Sequence, residues 1–102
     1  MLLILCTAPD ADVAATLARG LVEASLAACV NVIPGIRSFY RWQGEVKDEG
    51  EVQLLIKTTA ERYDALAAWI DAHHPYEVPE LIAFDVTKGS RAYLAWAHEQ
   101  TR

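Results

Sequence analysis

Residues 28–42 read ACVNVIPGIRSFYRW and alternate along their whole length. The even positions are Ala28, Val30, Val32, Pro34, Ile36, Ser38, Tyr40 and Trp42, mostly apolar. The odd set, Cys29, Asn31, Ile33, Gly35, Arg37, Phe39 and Arg41, is mixed. A period of two over this length predicts a strand, because successive side chains of a strand point to opposite faces. Pro34-Gly35 inside it predicts an edge, a bend or a bulge, since proline has no N–H for the ladder. Gln43 to Gly50 is expected to turn the chain, with Glu45, Asp48, Glu49 and Glu51 clustered around it as a solvated acidic run. Val52 to Lys57 alternates again and is expected to pair back antiparallel. A strand of fifteen residues spans roughly 50 Å, whereas a compact domain of this size is roughly 30–35 Å across. The hairpin must bend sharply at Pro34-Gly35 or project beyond its own core. A projecting ribbon carrying Ile36, Phe39, Tyr40 and Trp42 is an apolar edge that self-association would cover.

Outward from the hairpin, Leu2 to Thr7 is a short apolar run that suits a buried strand. Thr7-x-x-Asp10 and Pro9 signal a helix start, and Val13, Leu17, Leu21 and Ala24 recur at helical spacing before the pattern fades near Ser25–Ala27. Thr58-x-x-Glu61 has the form of a capping box, with Tyr63, Leu66, Ala67 and Ile70 following at helical spacing. Pro75 stops that helix, because the residue before a proline avoids helical geometry. His73 to Glu80 is then irregular, Leu81–Thr87 reads as a strand, Lys88-Gly89 as a turn and Ser90 as the cap of a last helix through His98. The order β-α-β-β-α-β-α predicts an α+β, ferredoxin-like sandwich with a long β-hairpin, its helices on one face of an antiparallel sheet. That fold hosts many functions and settles none.

The 102 residues suit one domain, 1–102, and 53% hydrophobic with 23% charged residues excludes a disordered chain. Nine basic against fourteen acidic residues, a net charge of −5, repel phosphate backbones and anionic lipid. Neither nucleic acid nor membrane is an expected partner; cations are not repelled. The apolar run at residues 2–6 is too short for a secretory core or a membrane span. With only Cys6 and Cys29, a reducing, cytoplasmic setting is expected.

Chain direction through such a sandwich brings Cys6, at the end of the first strand, to the same edge as His73 and His74, at the end of the second helix. The first helix starts there too, and its dipole is expected to favour a thiolate at Cys6. A thiolate and two imidazoles are good ligands for copper or zinc. Adjacent helical residues point about 100° apart, so His73 and His74 share a metal only where the helix has unwound before Pro75. The plainer alternative makes Cys6 a small core residue, His73 solvated and His74 a turn residue bonded to backbone. Cys29 reads as packing, Glu77 and Glu80 as solvated loop carboxylates. No nucleophile–base set, P-loop or GxGxxG is present, so no catalytic residue and no enzyme activity is expected.

Several segments resemble the CutA family of divalent-cation tolerance proteins. They are residues 6–10, CTAPD; 26–35, LAACVNVIPG; 38–44, SFYRWQG; 54–58, LLIKT; 73–80, HHPYEVPE; and 93–96, YLAW. The resemblance covers nearly the whole chain. It implies a ferredoxin-like protomer in a tight homotrimer with long hairpins packed between subunits, in the cytoplasm, with a role in tolerance of divalent cations. It also implies copper binding of the kind reported for bacterial members, whose cysteine and two neighbouring histidines match Cys6, His73 and His74. The same three ligands also suit other divalent transition metals. The architecture is also similar to the PII nitrogen-regulatory trimers, which leaves a small-molecule sensor or a scaffold for a partner protein as alternatives.

Overall fold

A computed structural model describes residues 1–102. Strand β1 (Leu2–Ala8) leads into helix α1 (Ala11–Glu23), strands β2 (Cys29–Trp42) and β3 (Glu45–Thr58) form the hairpin, and helix α2 (Tyr63–His73) follows a 3-10 turn at Ala60–Arg62. Strand β4 (Ile82–Asp85) and helix α3 (Arg91–Gln100) complete the order expected from the sequence. The four strands form one sheet in the order β2-β3-β1-β4, with every neighbouring pair antiparallel. No helix is long and apolar enough to cross a membrane.

The core lies between α1, α2 and one face of the sheet. Alternation puts Ile4, Cys6 and Ala8 of β1 beside Val52, Leu54 and Ile56 of β3, against Ala14, Leu17 and Leu21 of α1 and Leu66 and Ile70 of α2. Ala24, expected on the buried face of α1, is exposed, because the helix ends at Glu23 and Ser25 takes a left-handed backbone. The cap of α1 is Asp10, three residues after the expected Thr7, which is still in β1, and Pro9 precedes the helix; the Asp10 carboxylate accepts the Val13 N–H at 2.8 Å, and the Ser90 hydroxyl caps α3 in the same way. The second cap is displaced by one residue from the expected Thr58: that hydroxyl donates to the Leu26 carbonyl at 2.7 Å, and Thr59 precedes the 3-10 turn instead.

The turn of the hairpin is much shorter than residues 43–50. β2 pairs as far as Trp42↔Glu45, so only Gln43 and Gly44 connect the strands, both at positive φ. This is the geometry whose twist matches the strands it joins. The acidic run therefore lies on β3, where Asp48 pairs with Arg37 and Glu49 accepts from Tyr40. Between Ile33 and Ile36 the register shifts, three steps along β2 facing the two from Gln53 to Glu51. The bulge occupies Pro34-Gly35, with Gly35 at φ +80°. It also exchanges the faces: Val30 and Val32 share a face with Ile56 and Leu54, whereas Ile36 shares one with Glu51. The single alternation read over 28–42 is thus two alternations of opposite phase. The hairpin projects, and the molecule measures 44 × 26 × 21 Å.

Candidate functional site

The irregular 74–80 segment is delivered to the end of β1, as the chain direction requires. His74 follows the last residue of α2 and is buried. Its Nε2–H donates to the Thr7 carbonyl oxygen at 2.7 Å, and its Nδ1 accepts the Tyr76 N–H at 3.1 Å. The tautomer follows from the partners, since a carbonyl only accepts and an amide N–H only donates. Both ring nitrogens are committed to backbone. The Tyr76 hydroxyl donates to Glu51 Oε2 at 2.7 Å, so the segment is tied to β3 as well as β1.

Cys6 lies beside Thr7 on β1 with no exposed surface. Its Sγ reaches only the Thr7 carbonyl, at 3.8 Å. The expected thiolate is not what this environment favours: burial above all, then the carboxylates of Glu80 and Glu51, push the Cys6 thiol up to about 12. A thiol held protonated is a weak nucleophile and a weak ligand.

His73, one residue earlier, points elsewhere. It is exposed, its Nδ1–H donates to the Trp69 carbonyl at 2.8 Å, and its ring stacks on the Trp69 indole with centroids 3.9 Å apart. Its Nε2 is left free. Trp69 in turn lies over Gly20 of α1, so close that a Cβ there would stand 2.4 Å from the indole. The structure thus brings Cys6 and His74 together through Thr7 and places His73 at the α1–α2 contact. No group of three or more His, Cys, Asp or Glu side chains is arranged to hold a metal ion. The three residues in this arrangement do not fit one three-ligand centre.

The other thiol, Cys29, is half-buried on the opposite sheet face, 4.0 Å from Lys57 Nζ. Lys57 also donates to Asn31. The contact of Tyr76 in this segment with Glu51 of β3 was not legible from sequence. The Tyr76–Glu51 bond joins positions 25 apart, and no local period or spacing announces it.

Comparison with known proteins follows the same outline. The family described as CutA1 divalent ion tolerance protein matches residues 2–100. The chain is 49% identical to a divalent-cation tolerance protein CutA of Thermus thermophilus, over 96% of this chain and 95% of that one. It is 43% identical to the Escherichia coli protein of the same description, over 97% of this chain and 88% of that one. Among solved structures, the Cut A1 protein of Thermus thermophilus superimposes over the full length of both chains with a TM-score of 0.96 at 48% identity. CutA of Xylella fastidiosa gives 0.96 at 44% identity, covering 99% of this chain and 97% of that one. With the fold, the edge segment and the match over residues 2–100 in agreement, the chain belongs to the CutA1 divalent ion tolerance family.

Proposed function

We propose that the chain serves divalent-metal tolerance as a single-domain, cytoplasmic homotrimer that binds copper and turns over no substrate. The observation that supports assembly is the sheet face turned away from α1 and α2. Leu3, Leu5, Ile33, Leu55, Ile82 and Phe84 share that face by register, and Ile82 and Phe84 are about half exposed at 48% and 52%. A connected apolar face on so small a domain favours association with further copies. The projecting hairpin adds Phe39 and Tyr40 to the surface available for it. Two unpaired cysteines suit a reducing compartment.

Copper is the proposed ion because thiol and imidazole are ligands it accepts in either oxidation state. His73, with a free Nε2 at the surface, is the donor it meets first. Cys6 and His74 could add ligands only if the thiol lost its proton and the imidazole gave up a backbone partner. Sedimentation at micromolar concentration is expected to give the mass of three chains, and Phe84→Asp is expected to lower it. A stable wild-type monomer would overturn the assembly. Copper titration followed by Trp emission is expected to saturate, with the signal lost in His73→Ala and affinity reduced in Cys6→Ser and His74→Ala. Equal binding by the triple variant would remove these residues as ligands.

A further inference from the structure

The odd-numbered residues of β3, from Glu45 to Lys57, share the sheet face turned away from α1 and α2. Lys57 stands at the body end of that face, beside Leu3 of β1 and Cys29 of β2. It is half-buried, donates to the Asn31 amide oxygen and lies 4.0 Å from Cys29 Sγ. It forms no ion pair within its own chain. Glu49 and Glu51 stand on the same face where the hairpin projects. Each accepts from a phenol, Tyr40 or Tyr76 respectively, and neither meets a cation. Six to eight residues of strand, roughly 20–26 Å, separate them from Lys57, further than the side chains reach.

Covering this face with another copy takes the Lys57 ammonium out of water, which is costly for a charge without a counter-charge. A cation at one end of a face and anions at the other are complementary when copies join head to tail, the hairpin of one over the body of the next. A head-to-tail contact that closes on itself gives a ring. We propose that Lys57 pairs with Glu49 or Glu51 of the partner subunit, so that each hairpin delivers a carboxylate to the ammonium on the neighbouring body. Copies with a net charge of −5 repel one another, and such pairs oppose that repulsion at the contact itself. The pairing requires the trimer proposed above.

A water-soluble carbodiimide joins a lysine amine to a carboxylate that it touches, and peptide mass spectrometry of the covalent dimer tests the pairing. Residue 57 of one chain is expected to be bridged to residue 49 or 51 of another. Lys57→Arg keeps the charge but gives no such amide, so the bridge should disappear while sedimentation still gives the mass of three chains. Lys88→Arg should leave the bridge unchanged. Lys57→Glu is expected to weaken assembly by about tenfold or more, and adding Glu49→Lys/Glu51→Lys to recover most of that loss. A trimer without the bridge, or a charge exchange that recovers nothing, would overturn the pairing alone. A monomer in sedimentation would overturn the assembly and the pairing together.

Discussion

His74 and Thr7, separated by 67 positions in the chain, are joined by a 2.7 Å bond from the imidazole Nε2–H to the carbonyl oxygen. Because Nδ1 of the same ring accepts the Tyr76 N–H, one side chain links the end of β1 to the segment leaving α2. The bond to Thr7 is buried, so that carbonyl has no water as a replacement, and the bond to Tyr76 is partly buried.

His74→Ala is therefore expected to destabilise the protein by about 2–4 kcal/mol, leaving a buried acceptor and a backbone donor unpaired. Urea denaturation at fixed protein concentration measures it, and amide exchange at Tyr76 should accelerate in the same variant. Unchanged exchange at Tyr76 would show that the ring does not hold this segment.

Gly20→Ala places a methyl 2.4 Å from the Trp69 indole, inside any allowed contact. The helices α1 and α2 must separate or the Trp69–His73 stack must break, at a cost of about 1–3 kcal/mol. Adding Trp69→Leu should recover part of the loss, since the smaller side chain makes room. An additive loss in the double variant would argue against this contact.

Stability is expected to fall as pH rises from 9.0 toward 12. The Cys6 thiol ionises at an ordinary value of 9.0 when unfolded and at about 12 when folded, chiefly because it is buried. Between those values the unfolded chain has released a proton that the folded chain retains, so ionisation draws the equilibrium toward unfolding. Cys6→Ala should flatten the slope in alkaline denaturation series. At pH 8 the native Cys6 should resist thiol reagents and react only on unfolding.

Gln43 and Gly44 both hold left-handed backbone at the hairpin tip. Asparagine adopts that region more readily than glutamine, so Gln43→Asn should stabilise by about 0.5 kcal/mol. Gly44→Ala should destabilise by about 1–2 kcal/mol, from the clash of its Cβ in the left-handed region. Thermal unfolding of the two variants should move in opposite directions.

Local features of the sequence were enough to establish the element order, the cap at Ser90, the helix stop before Pro75 and a hairpin too long for its own core. Each depends on backbone geometry over a few residues: a short side chain reaching the next turn, a missing N–H, a period of two. The arrival of the 73–80 segment beside Cys6 also followed, because strand direction leaves little choice of edge. What tertiary structure decided is where each of those side chains points and what it meets. The bulge at Pro34-Gly35 reversed the faces of the outer hairpin, since one extra residue shifts every later side chain by half a period. Thr58 lost its capping role because its hydroxyl found the Leu26 carbonyl, 32 positions away. His73 and His74 parted company, one to the Trp69 indole and the other to Thr7. Cys6 was placed under α1 and α2, where burial governs its proton. These outcomes depend on partners distant in sequence, and such partners are chosen only when the sheet and helices close on one another.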